Sequence, residues 1–322
     1  MINIPDSGPV VILHDTDQDG YGAATAAAHW AETHNTDYKL VPLSKGAYYN
    51  GIPFEDLPEE AGLYLVLDFS FEHEKLFTLA ERGPVAVIDH HRTFAERVWP
   101  THTPQIGVKE VKGPDGASFI AVYDENRSAA VLTWRALVDT AAREAGAPET
   151  EDVPDILHYI EDYDLWNWKY EKTDVVHEGL EAEGYEVEDL MQYINGSTVG
   201  LMKAGRVACS YRDKQITHHV KHANVQGVCW DADMGPVEAV IVKCSTSNLK
   251  SKLGHRVLEE YPDAHFAIVY TADLVEDKVY CSLRSRGDFD VRRVAESLGG
   301  GGHEAAAGCS LSIDKFRAML TG

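Results

Sequence analysis

Residues 10–20 have the sequence VVILHDTDQDG, in which a short apolar run leads directly into charged side chains. The run at 10–14 is rich in β-branched residues and predicts a strand that is buried in a parallel sheet. The alanine-rich stretch at 23–31 follows two glycines and predicts a helix. A buried strand that turns sharply into a helix indicates an α/β domain.

The aspartates of this stretch are also a candidate metal site. Asp15, Asp17 and Asp19 lie within five residues, and their charges repel one another unless a cation lies among them. They follow the end of a strand, which is where open α/β sheets bind their ligands. An Asp-rich turn that caps the next helix is the alternative interpretation.

Two more apolar runs end in residues that can bind a metal. Asp68 follows the run at 63–67, and Asp-His-His-Arg at 89–92 follows the run at 85–88. Taken singly, Asp68 suits a turn or a helix cap, and 89–92 suits an exposed loop. Parallel strands would bring both to the sheet edge that holds Asp17. Aspartate and histidine ligands without cysteine favour Mn²⁺, Mg²⁺ or a two-metal arrangement over structural zinc.

The composition limits the classes of function. The 322 residues include 29 basic and 52 acidic side chains, which give a net charge of −23. This charge argues against bulk electrostatic binding to long duplex DNA. Five widely spaced cysteines without a C-x-x-C motif argue against a disulfide framework and favour a cytoplasmic location. We find neither a signal-peptide pattern nor an apolar run of the roughly 18–20 residues that a membrane helix needs.

The rest of the chain predicts a second α/β unit. Residues 170–227 are polar and predict mostly helical structure. Beyond them, the patterns predict strands at 237–243, 265–270, 278–283 and 309–313, and helices at 247–261 and 291–298. We therefore expect an α/β protein in three parts. These are an N-terminal domain at 1–170 with a mainly parallel sheet flanked by helices, a helical connector at 171–235, and a smaller α/β domain at 236–322.

Three later segments carry further candidate residues. EDYDLWNW at 161–168 offers either solvated acids beside core tryptophans, or one more metal ligand beside a ring on which a base can stack. GGGGH at 299–303 lies near four arginines at 284–293, and glycine lets backbone N–H groups approach an anion closely. HHVKH at 218–222 suits a solvated helix face better than a metal site.

The order of these motifs resembles the DHH phosphoesterase superfamily, in its RecJ-like and oligoribonuclease-like branch with a C-terminal DHHA1 domain. The resemblance covers nearly the whole chain. It is carried by HDTDQDG at 14–20, Asp68, DHHR at 89–92, EDYDLW at 161–166, SLRS at 282–285 and GGGGHEAAAG at 299–308. It implies a DHH domain that holds two Mn²⁺ or Mg²⁺ ions, and a DHHA1 domain that binds the far end of the substrate.

The resemblance also implies roles for single residues. The metal ligands would be His14, Asp17, Asp19, Asp68, His90 and Asp162, with Asp68 bridging the two ions. Asp68 and His91 would be catalytic, and the substrate contacts would be His91, Arg92, Arg284, Gly300, Gly301, Gly302 and His303. Two alternatives stay open, since the spacing from His14 to Asp17 departs from that of many members and the fourth motif has two aspartates. Asp15 could share or replace the role of His14. In the fourth motif either Asp162 or Asp164 could be the ligand, and we prefer Asp162 because Ile160-Glu161-Asp162 matches the usual Ile-x-Asp ending of this motif in the family.

The implied activity is hydrolysis of phosphodiester bonds in short oligonucleotides, as an exonuclease acting on short RNA or single-stranded DNA. Water activated by two metals would attack phosphorus in line. 3′-Phosphoadenosine 5′-phosphate is a second substrate for the same chemistry.

The alternatives are a cyclic-dinucleotide phosphodiesterase, a single-stranded DNA exonuclease and a catalytically silent nucleotide-binding module. Adjacent histidines argue against a calcium-stabilised structural protein. We expect a short single-stranded oligonucleotide or small nucleotide as the binding partner, and no membrane association. The sequence is compatible with a homodimer.

Overall fold

The computed structural model describes residues 2–44, 51–100, 105–113, 116–139, 153–230 and 235–321. The chain divides into two compact units, residues 1–209 and 210–322. Each unit combines one sheet with helices, so the predicted α/β class is confirmed. Among the described residues, every helix is too short or too polar to span a membrane.

In the N-terminal unit, the described residues form a six-stranded sheet in the order β2-β1-β3-β4-β6-β5. Its strands are β1 (Val10–His14), β2 (Tyr38–Pro42), β3 (Leu63–Leu67), β4 (Val85–Asp89), β5 (Gly107–Lys112) and β6 (Ser118–Tyr123). Neighbouring strands are parallel except for β5 and β6, which pair antiparallel at one edge. Every residue of β1, β3 and β4 is buried, which explains their continuous apolar sequences.

The helices described in this unit cover the sheet. They are α1 (Gln18–Thr33), α2 (His73–Ala80), α3 (Arg92–Val98), α4 (Ala129–Thr133), α5 (Asp155–Asp164), α6 (Thr173–Glu183) and α7 (Val187–Ile194). The sequence at 128–144 predicts one helix, whereas the structure has α4, which continues as a π-helix over Trp134–Asp139. Residues 140–144 of that prediction lie outside the described residues.

Part of the predicted connector packs into the N-terminal unit. Val176 and Leu180 of α6 are fully buried and share a hydrophobic core with Ala26 of α1 and Ile156 of α5. Leu190 of α7 joins the same core. Apolar residues at helical spacing therefore give α6 and α7 a buried face, although the segment as a whole is polar.

The C-terminal unit begins within the long helix α8 (Val199–Val220). Its described residues form a seven-stranded sheet in the order β11-β12-β10-β9-β8-β7-β13. The strands are β7 (Asn224–Val228), β8 (Val237–Lys243), β9 (Phe266–Asp273), β10 (Lys278–Ser285), β11 (Gly301–Gly302), β12 (Ala306–Ser312) and β13 (Leu320–Thr321). The described helices are α9 (Lys250–Glu260), α10 (Val291–Ser297) and α11 (Ile313–Met319). Strands β8 and β9 are parallel, and the other described pairs are antiparallel.

Candidate metal centre

The edge at which β1, β3 and β4 end carries a cluster of buried acidic residues. The strand register places His14, Leu67 and Ile88 side by side, so the three strands end at the same level. Asp15, Asp68 and Asp89 are at most 3% exposed. Because an isolated buried carboxylate is costly, a cluster of this kind is a candidate site for a cation.

The ligand atoms of this cluster form three groups, within each of which all atoms lie within 4.8 Å of one another. The groups are Asp15-Asp17-Asp68, Asp19-His90-Asp164 and Asp68-His90-His91. The first two have separate members, and the third connects them through Asp68 and His90. The described residues thus contain groups that could hold a metal, and these groups share Asp68 and His90. Carboxylate oxygens mixed with imidazole nitrogens suit Mn²⁺ or Mg²⁺.

Two buried atoms at the centre lack the partners that buried polar atoms normally have. Within the described part of the chain, Oδ1 of Asp68 and Nε2 of His14 make no hydrogen bond, whereas the large majority of buried side-chain polar atoms do. Nδ1 of His14 lies 2.7 Å from the carbonyl oxygen of Asp15. That carbonyl can only accept, so Nδ1 carries the proton and Nε2 presents a lone pair. Both atoms are therefore suited to bind a metal.

The backbone at Asp68 is also unusual. Its φ of 67° lies in the left-handed region, which non-glycine residues seldom adopt and which costs roughly 1–2 kcal/mol. Such conformations cluster at functional sites, where the surrounding structure holds them in place. The conformation at Asp68 thus fits a functional role at the end of β3.

Burial and neighbouring charges shift the pKa values of this cluster. Burial raises the pKa of Asp68 well above its usual range, and the neighbouring carboxylates, Asp19 foremost, raise it further. Burial lowers the pKa of His14 to about 4. Burial alone would lower the pKa of His91, but the Asp89 carboxylate raises it to about 9. Burial also lowers the pKa of His90, so the cluster combines crowded carboxylates with two imidazoles that favour the neutral form and one, His91, that favours the protonated form.

Asp89 holds His91 in place. Oδ1 of Asp89 accepts hydrogen bonds from the backbone N–H of His91 at 2.9 Å and from its Nδ1 at 2.8 Å. His91 lines a cavity of about 650 Å³ that Asp15 and Asp68 also border. Two basic residues that we did not predict, Lys75 and Arg97, line the same cavity. The sequence predicts a helix at 72–82, which includes Lys75, but gives no prediction for α3, in which Arg97 lies.

The structure separates the two aspartates of the fourth motif. Asp162 accepts hydrogen bonds from the backbone N–H groups of Lys169 and Tyr170 and from the Thr173 hydroxyl, and it joins none of the described donor groups. Asp164 lies with Oδ2 at 3.7 Å from Nε2 of His90. Positions two apart on a helix point in different directions, so only one of the two reaches the centre. The geometry favours Asp164 over Asp162, which we preferred from the sequence.

Of the other predicted ligands, Asp17 and Asp19 also make local hydrogen bonds, whereas His14 lies outside the described donor groups. Asp17 caps α1 by accepting a hydrogen bond from Gly20 N–H. Asp19 accepts hydrogen bonds from Ala129 and Ala130 N–H at the start of α4, and its Oδ2 lies 3.7 Å from Nε2 of His90. His14 is absent from the described donor groups, whereas the alternative, Asp15, is present.

The predicted substrate residues lie in several places. Arg92 is in α3, its side chain is 70% exposed, and it forms an ion pair with Glu96. Arg284 is in β10, where it donates hydrogen bonds to Ser251 and to the carbonyl of Leu283. Gly301 and Gly302 form β11 against β12, with Gly300 before it and the exposed His303 after it. These five residues, from Arg284 to His303, belong to the C-terminal unit and are not among the members of the acidic cluster.

Known proteins share this fold and part of this sequence. Residues 243–321 match the family model of the DHHA1 domain. The uncharacterized protein R106 of Acanthamoeba polyphaga mimivirus is 23% identical over 321 residues, which cover 95% of this chain and 68% of the viral protein. These similarities agree with the resemblance drawn from the motifs.

Two solved structures extend the comparison to the fold. RecJ from Thermus thermophilus, solved in complex with Mn²⁺, matches with a TM-score of 0.57 at 14% identity. The match covers 97% of this chain but 51% of RecJ, so this chain spans about half of that protein. The pGpG-specific phosphodiesterase PggH from Vibrio cholerae matches with a TM-score of 0.51 at 11% identity, over 96% and 95% of the two chains.

Proposed function

We propose that the chain, which carries a DHHA1 domain and shares its fold with RecJ and PggH, is a metal-dependent phosphoesterase of the DHH superfamily that hydrolyses phosphodiester bonds in short oligonucleotides. The observation that carries this proposal is the arrangement around Asp68. Two sets of three ligands meet at this residue, and its Oδ1 receives no hydrogen bond from the described residues. A pair of divalent ions would balance the charge of the carboxylates and bind this oxygen.

The donor groups divide naturally between two ions. Asp15, Asp17 and Asp68 would hold one Mn²⁺ or Mg²⁺, and Asp19, His90 and Asp164 would hold the other. Asp68 would contact both, since its Oδ1 lies 3.3 Å from Nε2 of His90. Two bound ions of this kind acidify a water molecule and neutralise phosphoryl oxygens.

His91 would bind the phosphoryl group directly. The Asp89 carboxylate occupies Nδ1 and favours the protonated ring, which leaves Nε2–H as a donor. A charged donor fixed before the substrate arrives stabilises the charge that develops on a phosphoryl oxygen. Asp89 then acts as a positioning residue, because it orients the imidazole and keeps it protonated.

Three observations support a short substrate: the acidic composition of the chain, the cavity beside the metal centre and the fold shared with PggH. A chain with a net charge of −23 attracts long polyanions poorly. The cavity beside the metal centre is lined by Lys75 and Arg97 but also by Glu72 and Glu96, and Arg97 forms an ion pair with Glu72. The cavity, at about 650 Å³, falls in the size range of small-molecule sites. PggH, which shares the fold, is named as specific for pGpG, a dinucleotide. We propose that Arg284, Gly300, Gly301, Gly302 and His303 contact the end of the substrate remote from the metals.

A single-stranded DNA exonuclease is the second candidate, and the match to RecJ favours it. The test is hydrolysis of end-labelled RNA and DNA of two to about 24 nucleotides, 3′-phosphoadenosine 5′-phosphate and cyclic di-AMP. Parallel reactions would contain Mn²⁺, Mg²⁺ or EDTA. We expect metal-dependent cleavage that is fastest on the shortest oligomers. Faster cleavage of the long DNA would favour the exonuclease, and no cleavage by metal-loaded protein would contradict the proposal.

A further inference from the structure

The loop that follows α5 holds two exposed tryptophans next to Asp164. Trp166 and Trp168 are 36% and 39% exposed, and their ring centroids lie 4.7 Å apart in an edge-to-face arrangement. Each ring also packs edge-to-face on Tyr163, at 5.6 Å. Tyr163 in turn stacks flat on His177, with 3.4 Å between the ring centroids. The four rings form one block with the two tryptophans partly open to solvent.

The backbone of this loop is fixed in an unfavourable conformation. Trp166 and Trp168 have φ values of 56° and 55°, and bulky residues rarely adopt this left-handed region. Asp162 holds the loop in this form. Its carbonyl accepts a hydrogen bond from Asn167 N–H, and its carboxylate accepts the N–H groups of Lys169 and Tyr170. A buried carboxylate thus keeps both tryptophans in place.

The inner side of the block is fixed as well. Nδ1 of His177 lies 2.9 Å from Oε1 of Gln18, and the amide of Gln18 donates to the carboxylate of Glu181 at 2.9 Å. Gln18 is the first residue of α1, directly after Asp17. The same helix start therefore supports the metal centre and the aromatic block.

We propose that Trp166 and Trp168 form a stacking site for a nucleobase of the substrate, and this inference rests on the proposed function. Asp164 lies two residues before Trp166 and belongs to the donor group of Asp19 and His90. Because Trp166 follows Asp164 so closely along the chain, we infer that a nucleotide with its phosphate at this group would place its base at the tryptophans. Base stacking would supply affinity in addition to the phosphate contacts proposed at the metal centre. Stacking on a ring face tolerates every base, so the site discriminates bases weakly.

The experiment compares a substrate with and without its bases. The probes are pApA and two analogues in which one or the other nucleoside is an abasic tetrahydrofuran residue, assayed with Mn²⁺. The variants are Trp166→Leu, Trp168→Leu and Trp168→Phe, in which phenylalanine keeps a ring. Tyr211→Leu is the matched control, because Tyr211 is an aromatic residue 67% exposed and outside this loop.

For the wild type, we expect one abasic analogue to have a KM about 10- to 100-fold above that of pApA. In the two leucine variants, KM for pApA should rise towards that of the analogue, with kcat largely retained. KM of Trp168→Phe for pApA should lie between that of the wild type and that of Trp168→Leu. KM of Tyr211→Leu should equal that of the wild type. The inference would be overturned if the leucine variants kept the wild-type ratio of KM for the abasic analogue to KM for pApA. It would also be overturned if they lost activity on both substrates equally.

A second measurement does not depend on turnover. AMP should quench the tryptophan emission saturably, ribose 5-phosphate should not, and the quenching should disappear in Trp168→Leu. If the wild type hydrolyses neither pApA nor its abasic analogues, the proposed function fails, but this titration still tests the stacking site. Absence of quenching by AMP in the wild type would overturn it.

Discussion

Oδ1 of Asp68 lies 3.3 Å from Nε2 of His90, and both residues belong to two of the three donor groups found in the described residues. Burial lowers the pKa of His90, which favours the neutral imidazole that binds metals. The pair therefore lies where two ions would meet, and the predictions for the centre start from it.

Asp68→Asn should lose activity and gain stability when metal is removed. The change keeps the shape of the side chain but removes a charge that lies among other carboxylates. We expect turnover to fall by more than the 10–100-fold typical of outer partners of metal ligands. In EDTA, the variant should melt at a higher temperature than the wild type.

Metal content by mass spectrometry and melting by calorimetry check this prediction. Asp37→Asn is the control, because Asp37 is exposed and lies before β2, at the opposite edge of the sheet. An Asp68→Asn protein that retains full metal content and activity would contradict the bridging role.

Asp164→Asn should lower the affinity for Mn²⁺, whereas Asp162→Asn should lower the stability of the fold. Asp164→Asn removes a ligand, so Mn²⁺ affinity measured by calorimetry should fall while the unfolding free energy in EDTA changes little. Asp162→Asn weakens buried hydrogen bonds to a charged acceptor, each of which contributes about 1.5–3 kcal/mol. Its unfolding free energy in urea should therefore fall, with Mn²⁺ affinity retained. The opposite pattern would restore Asp162 as the ligand.

Arg97→Met should raise KM, whereas Arg92→Met should not. Arg97 lines the cavity and, within the described residues, its buried Nε makes no hydrogen bond, although its other nitrogens reach Glu72 and Ser70. Loss of one charged hydrogen bond to phosphate corresponds to about a 10- to 100-fold rise in KM. Arg92 is exposed and paired with Glu96, an arrangement worth about 0.3–0.5 kcal/mol. Equal effects in steady-state assays would contradict the role of Arg97.

The sequence predicted the parts of the fold that are buried on both faces. The strands β1, β3 and β4 appear as unbroken apolar runs, and the acidic residues after them gather as expected. The hairpin of β5 and β6 was missed, because β5 alternates half-buried and exposed residues and contains Lys109 and Glu110. Its short strand therefore resembles a polar loop.

The choice between Asp162 and Asp164 shows why the sequence determined the site incompletely. A motif gives the order of residues, whereas the direction of each side chain depends on where α5 ends and how the next loop is held. The hydrogen bonds from Lys169 and Tyr170 to Asp162 come from residues outside the motif. Asp15 entered the donor set for a related reason, since neighbouring positions after a strand point in different directions.

Gly301→Ala and Gly302→Ala should separate structural from substrate-binding roles in the glycine motif. A Cβ at Gly302 would lie 2.5 Å from Cα of Ala307, and φ there is 142°. We expect Gly302→Ala to destabilise the C-terminal unit by about 1–3 kcal/mol, the usual cost of overpacking. A Cβ at Gly301 meets nothing within 4 Å among the described residues, so Gly301→Ala should fold normally. If the loop contacts substrate as proposed, Gly301→Ala should raise KM with little change in urea unfolding, and an unchanged KM would remove Gly301 from the substrate contacts.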